Sequence, residues 1–241
     1  MTIIPAIDVR GGRCVRLFQG RFDAETVYGD DPAAMATRWA GEGARRLHVV
    51  DLDGAAEGAP RNHAAIAAIL KAVAIPVQVG GGLRDLKTIE TYLEAGAARV
   101  VLGTRAALDP EFLREVCGYF PGRVVVAIDA RDGRVAVNGW LEATDRAALE
   151  VAREASDAGA AALLYTDIRR DGTQQGPNLE ALEAVARATP TPVIASGGIS
   201  TREHVRAASR IAGVEAAIVG QALYQGTLTL REATEAAEGN Q

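Results

Sequence analysis

The chain has 241 residues, 48% apolar and 24% charged, an ordinary soluble balance in a length that allows one large domain or two small ones. Its net charge of −5, with no long basic tract, argues against nucleic acid as a main partner, so any anion must be held by local groups. Only Cys14 and Cys117 are present, in no metal-ligand spacing, and no stretch approaches a membrane span, so a reduced cytoplasmic setting without a membrane partner is expected.

In chain order, TIIPAID reads as a first strand; the apolar run around it is broken at Asp8 and lacks the basic start of a secretory leader. The predicted helix DPAAMATRWAGEGA follows, with Asp31 as its cap, and then the strand RLHVVDL. NHAAIAAILKAV (cap Asn62), PVQVG, DLKTIETYLEAGA (cap Asp85), RVVLG and DPEFLREVCGYF (cap Asp109) continue the alternation. The remainder is RVVVAID, TDRAALEVAREASDAGA (cap Thr144), ALLYTD, NLEALEAVARAT (cap Asn178), PVIAS, TREHVRAAS (cap Thr201), AAIVG and TLTLREATEAAE. Pro32 and Pro110 stand directly after their caps, where the missing N–H costs nothing. The strand segments lack apolar/polar alternation, which implies burial on both faces, as in a parallel sheet. Eight strands alternating with eight helices in this length fit one closed α/β domain, a (β/α)8 TIM barrel over 1–241, with no linker.

The text repeats itself. PVIASGGIS (192–200) answers PVQVGGGLR (76–84), and AIDARDGR (127–134) answers AIDVRGGR (6–13). GAAALLYTDIRRDG (159–172) answers GARRLHVVDLDG (43–54), and Gly220 falls over Gly103. Four matches in the same order indicate two half-barrels, about 1–120 and 121–241.

Reacting groups in such barrels stand where strands end, at the C-terminal face. Asp8 and Asp129 end the first and fifth strands, which lie opposite each other in an eight-stranded ring, so the two carboxyls are expected to face across the mouth. Such a pair suits general acid and general base work on one substrate. Each also suits a structural role, capping its loop or pairing with Arg10 or Arg131. Gly81-Gly82 and Gly197-Gly198 end the third and seventh strands, and Gly103-Thr104 and Gly220-Gln221 end the fourth and eighth. Glycine lets backbone N–H groups approach a phosphate, so the duplicated phrases imply a substrate with two phosphate groups lying across the mouth; tight turns are the competing use. Thr166 ends the sixth strand and can hand a hydroxyl to a reacting oxygen or simply pack. His48 shares that inward face by the repeat, as a substrate contact or a packed core histidine. Trp140, in a loop, can stack on a heterocycle or cover the core. DIRRDGTQQGP (167–177), with Gly172 and Gly176, has the look of a mobile lid.

Taken together, IPAIDVRGGRCVRLFQG, LHVVDLDGA, VQVGGGLR, VVLGT, VVVAIDARDGRVAVNGW, YTDIRRDGT, PVIASGGI and IVGQALY resemble the phosphoribosylformimino-5-aminoimidazole carboxamide ribotide isomerases of histidine biosynthesis, over nearly the whole chain. The resemblance implies an Amadori rearrangement of an N-glycosylated aminoaldose to an aminoketose, on a substrate with two phosphoribosyl groups. It makes Asp8 the proton acceptor, Asp129 the proton donor and Thr166 an assistant, with no metal or organic cofactor. Two relatives are alternatives. The cyclase of imidazole glycerol phosphate synthase typically has Cys where this chain has Ala6, and a catalytic Lys where it has Arg16, a position that faces substrate. A bifunctional isomerase that also accepts phosphoribosyl anthranilate carries Arg where this chain has Asn138. A non-catalytic phosphosugar-binding barrel would need neither aspartate. A monomer is the default expectation, since no exposed apolar stripe is evident.

Overall fold

The computed structural model describes residues 1–239, so the last two residues of the expected domain lie outside the described ones. β1 (Thr2–Arg10) continues through Gly11-Gly12 into a hairpin of β2 (Arg13–Phe18) and β3 (Arg21–Gly29), and α1 (Pro32–Gly41) returns the chain to β4 (Leu47–Asp51). Next come α2 (Leu52–Glu57), α3 (His63–Ala72), β5 (Val77–Gly80), α4 (Leu86–Glu94), β6 (Arg99–Leu102), α5 (Thr104–Leu108) and α6 (Pro110–Tyr119). The second half opens the same way, with β7 (Val124–Arg131), a hairpin of β8 (Arg134–Val137) and β9 (Glu142–Ala147), α7 (Ala148–Asp157) and β10 (Ala162–Asp167). It ends with α8 (Leu179–Ala188), β11 (Val193–Ser196), α9 (Arg202–Ser209), β12 (Val214–Val219), α10 (Gln221–Gln225) and α11 (Leu230–Glu238).

Eight of these strands are the staves of a barrel. Parallel pairing runs β1-β4-β5-β6-β7-β10-β11-β12 and closes from β12 back to β1. This is the (β/α)8 barrel that the alternation implied, with every stave edge paired. The apolar residues divide into two layers. Ile4, Val125, Leu164, Ile194 and Ile218 fill the inside of the ring, while Ile7, Val49, Val79, Ile128 and Leu163 pack outward against the helices. Neighbouring residues on one stave thus point to opposite buried layers, which explains why the strands read as continuous apolar runs.

Caps at Asp31, Asp85, Asp109, Asn178 and Thr201 accept backbone N–H bonds at the starts of their helices. Three expectations need correction. The hairpins β2-β3 and β8-β9 add four antiparallel strands to the eight expected ones. They stand above the barrel with one face in solvent, and their mixed polarity hid them: β3 has no buried residue at all. Thr144 caps no helix; it lies in β9 and its hydroxyl donates to the Val135 carbonyl across the hairpin, while α7 begins at Ala148. Asn62 stands at a helix start but gives no side-chain cap, because its amide is committed elsewhere.

The repeat is visible in the register. Asp8 pairs with Val50 between β1 and β4, and Asp129 pairs with Thr166 between β7 and β10. Val50 aligns with Gly80 between β4 and β5, and Thr166 with Ser196 between β10 and β11.

Candidate active site

All the strand-end residues singled out in the sequence, together with Arg16, His48 and Trp140, line one cavity at the C-terminal mouth of the barrel. Asp8 and Asp129 enter it from β1 and β7, four staves apart in the ring. Gly81, Gly82, Gly103 and Thr104 lie on the first-half side, and Gly197, Gly198, Gly220 and Gln221 on the second-half side. Gly176 is the exception. It lies behind the cavity wall, where its N–H donates to the Gly198 carbonyl at 3.0 Å and its Cα packs against His204.

The two aspartates have different neighbours. Asp8 accepts from Arg16 Nη1 at 2.7 Å, and both side chains are nearly buried. Arg10, the pairing partner considered from sequence, binds Glu25 instead. Burial pushes the Asp8 carboxyl above its ordinary range, the Arg16 guanidinium pulls it down, and Asp171 pushes it up. Burial also raises Asp129, but here the opposing groups are neutral donors, the side chains of Trp140 and Thr166. Trp140 reaches it from the turn between β8 and β9, held in a left-handed conformation (φ 72°) and packed onto Gly20 of the β2-β3 turn. That contact leaves no room for a side chain at 20.

The glycine phrases rest on two buried aspartates. Asp51 is fully buried and accepts from the N–H groups of Gly54, Arg61 and Asn62 and from Asn62 Nδ2, all at 2.7–2.8 Å. Asn62 Oδ1 in turn accepts from Gly12 N–H, which is why it does not cap α3. In the second half, Asp167 accepts from Arg169 N–H at 3.0 Å and from Asn178 Nδ2 at 2.7 Å. Gly81 (φ 102°) lies on the Asp51 backbone and Gly197 (φ 91°) on that of Asp167, so each turn needs glycine both for its dihedral angle and for its close approach. The tight-turn and ligand-facing readings therefore coexist: these glycines make turns whose open face is the cavity.

Sequence reasoning missed Asp171, a third carboxylate in the cavity, carried by the loop after β10. Burial raises it and Arg16 opposes that shift. Its signal was available, since Asp171-Gly172 occupies the place of Asp53-Gly54 in the repeat once the two-residue insertion is allowed for. Arg84 and Arg105 were also missed; both line the first-half side, and Arg84 Nη2 donates to Asn138 Oδ1 at 3.0 Å. The Asn138 N–H donates to Thr104 Oγ1 at 2.8 Å, so the turn carrying Trp140 is tied to that side.

Residues 2–229 match the family described as histidine biosynthesis protein. A protein of Desulfatibacillum aliphaticivorans named 1-(5-phosphoribosyl)-5-((5-phosphoribosylamino)methylideneamino)imidazole-4-carboxamide isomerase is 55% identical over 99% of this chain and 97% of its own. Proteins of the same name from Syntrophotalea carbinolica and Desulfosudis oleivorans are 54% and 53% identical, covering 99% and 97% of this chain and 99% and 94% of their own. The barrel, the paired carboxylates at its mouth and identity above half along almost the full length agree: the chain belongs to the histidine biosynthesis protein family.

Proposed function

We propose that the chain catalyses the reaction its relatives are named for, the isomerisation of a phosphoribosylamino-methylideneamino imidazole carboxamide, as an Amadori rearrangement of aminoaldose to aminoketose. The observation that carries the mechanism is the unequal setting of the two aspartates. Asp8 has a cation at hydrogen-bond distance, whereas Asp129 has only neutral donors. A guanidinium favours the ionised form of its neighbour, and burial without a cation favours the neutral form. Asp8 is thus suited to be the base and Asp129 the acid, the division that lets one site run both steps near neutral pH.

The chemistry then follows in order. Asp129 gives its proton to the ring oxygen of the reacting furanose. The bond from that oxygen to the anomeric carbon breaks as the lone pair of the glycosidic nitrogen forms a C=N bond. The product is an open-chain protonated Schiff base. Its positive nitrogen acidifies the C–H on the adjacent carbon, and Asp8 removes that proton. The electron pair returns toward nitrogen as an enolamine; its former anomeric carbon takes a proton as the hydroxyl on the adjacent carbon gives one up, which forms the ketose and returns Asp8 to its ionised and Asp129 to its protonated state. Thr166, in register with Asp129, is a hydroxyl donor suited to steady the carboxylate that remains once the proton is given. The substrate carries its own electron sink, and a positioned acid or base contributes roughly 10²–10⁴-fold to rate. The two glycine-lined sides, with Arg84 and Arg105 on the first, are read as seats for the two phosphates, which orient the reacting carbon without reacting themselves.

Asp171 supports a second reading of the acid step. It also lies in the cavity with its carboxyl raised by burial, and it is carried by a loop able to close over a substrate. Comparing Asp129→Asn with Asp171→Asn separates the two: the variant that loses ring opening identifies the donor. Ala6 and Arg16 stand where a cyclase would carry Cys and Lys, and Asn138 is bound to Arg84 and Thr104 where the anthranilate-accepting form has Arg. We accordingly read the chain as a single-substrate isomerase acting in a cytoplasmic setting as a monomer, with the two halves, about 1–120 and 121–241, as products of duplication. The test is direct: purified protein is mixed with the aminoaldose and formation of the ketose is followed. Binding without turnover would replace this reading by the non-catalytic one, and a requirement for ammonia with ring closure would replace it by the cyclase.

A further inference from the structure

Gln78 is a fully buried amide on the inward face of the barrel, beside the apolar cluster of Ile4, Val125, Leu164, Ile194 and Ile218. It lies on β5 in register with His48 on β4, and its Nε2 is 2.9 Å from His48 Nδ1. Its carbonyl oxygen has no partner. The other half of the molecule shows that packing does not demand such a pair. The repeat places Leu164 and Ile194 at the equivalent positions, in register on β10 and β11, and both belong to the apolar filling. A buried amide with an unpaired oxygen is costly where two aliphatic side chains would serve. The imidazole lines the catalytic cavity one layer below Asp8, since His48 pairs with Ala6 and Val50 with Asp8.

We propose that Gln78 is a positioning residue: its amide N–H donates to Nδ1 of His48, fixing the imidazole proton on Nε2, so that His48 presents an N–H donor to a sugar oxygen of the bound substrate. Nε2 is the amide atom that faces Nδ1 and the oxygen points away, so the contact is a donation to Nδ1; the opposite orientation would leave both N–H groups of the amide without a partner. Burial and the Arg16 guanidinium push His48 down to about 3, so it stays neutral through the working range and acts as a donor rather than a proton carrier. The charges around it are Arg16 with its bound Asp8, Asp129 and Asp171 across the cavity, and Arg99, in register with Gln78 and paired with Glu215 at 3.4 Å. The role of His48 toward a sugar rests on the proposed isomerase; the tautomer does not.

Nitrogen-15 NMR of the imidazole in the wild-type protein reads the tautomer without substrate. A single Nε2–H form is expected, and an Nδ1–H form or a mixture would overturn the proposal. Gln78→Leu, the kind of residue the other half carries, is expected to fold, to lose the single tautomer and to lower kcat/KM about tenfold. Full kcat/KM in that variant would equally overturn it. Gln78→Glu places a carboxylate against Nδ1. It is expected to raise His48 and to introduce a new ionisation into the pH profile of kcat/KM that wild type and Gln78→Leu lack; an unchanged profile counts against the proposal. Failure of the wild-type protein to isomerise would remove the proposed function, while the tautomer would still be decided by the spectrum.

Discussion

Asp129 is buried and its carboxyl is raised with no cation beside it, a setting that favours catalysis at the expense of stability. Below the ordinary carboxyl value of 3.8, folded and unfolded chains both hold the proton and the group is neutral in its effect. As pH rises through 3.8 the unfolded chain ionises first, so stability is lost until the folded value is passed and the penalty levels off. Asp129→Asn is therefore expected to melt higher than wild type at pH 7, with the difference closing below about pH 4, as read by thermal unfolding across pH. The same substitution and Asp8→Asn are each expected to lower kcat by roughly 10²–10⁴ while substrate binding, measured by calorimetry, is retained. In the wild type, kcat/KM is expected to fall on the acid side as Asp8 takes a proton and on the alkaline side as Asp129 loses its own. Both aspartates were legible in the sequence because each ends a strand in a repeated phrase. Arg16 as the partner that tells them apart was not, because it reaches Asp8 only through the hairpin that folds β2 back on β1.

Loops differ between the halves although their text is alike. The Asp51 side chain gathers four hydrogen bonds and that of Asp167 two, and the longer segment after β10 takes its further ties from other loops, with Ser200 Oγ donating to the Gln174 carbonyl and Gln19 Nε2 to that of Arg169. Replacing Asp51 by Ala strands three backbone N–H donors, at about 1–3 kcal/mol each. Asp51→Ala is expected to cost several kcal/mol in urea unfolding and Asp167→Ala distinctly less. Equal losses would mean that the extra bonds carry no weight. Gly172 lies against the Leu17–Phe18 backbone, where the segment meets the first hairpin. Sequence alone gave the place of this segment and its length. It could not show the hairpins that it meets, because β3 and β9 are half-solvated edge strands without a buried apolar face.

Closure governs the whole molecule. The seams β6-β7 and β12-β1 join the two halves, so neither half alone can pair all its edges. A fragment of about 1–120 is expected to associate or aggregate through β1 and β6, and mixing it with the complementary fragment is expected to restore a folded barrel, checked by sedimentation and isomerase assay. A soluble, folded, monomeric fragment would show that the halves are independent units. In the intact chain the closed ring leaves no stave edge for another copy to pair with, and the free edges of β3 and β9 carry no buried apolar face, so sedimentation of the whole protein is expected to report a monomer.

The sequence by itself determined the alternation of strands and helices, the internal repeat and the strand-end positions of the chemistry-bearing residues. These are local properties: burial on both faces writes a stave as an apolar run, and a left-handed turn against a neighbouring backbone admits only glycine. Only the tertiary structure decided which polar groups meet. Arg16 on Asp8, Trp140 on Asp129, Asp171 above both and Gln78 on His48 join residues from different strands and loops. Such contacts depend on closing a ring whose members are far apart along the chain, and nothing in the local pattern records how far across the ring a side chain reaches.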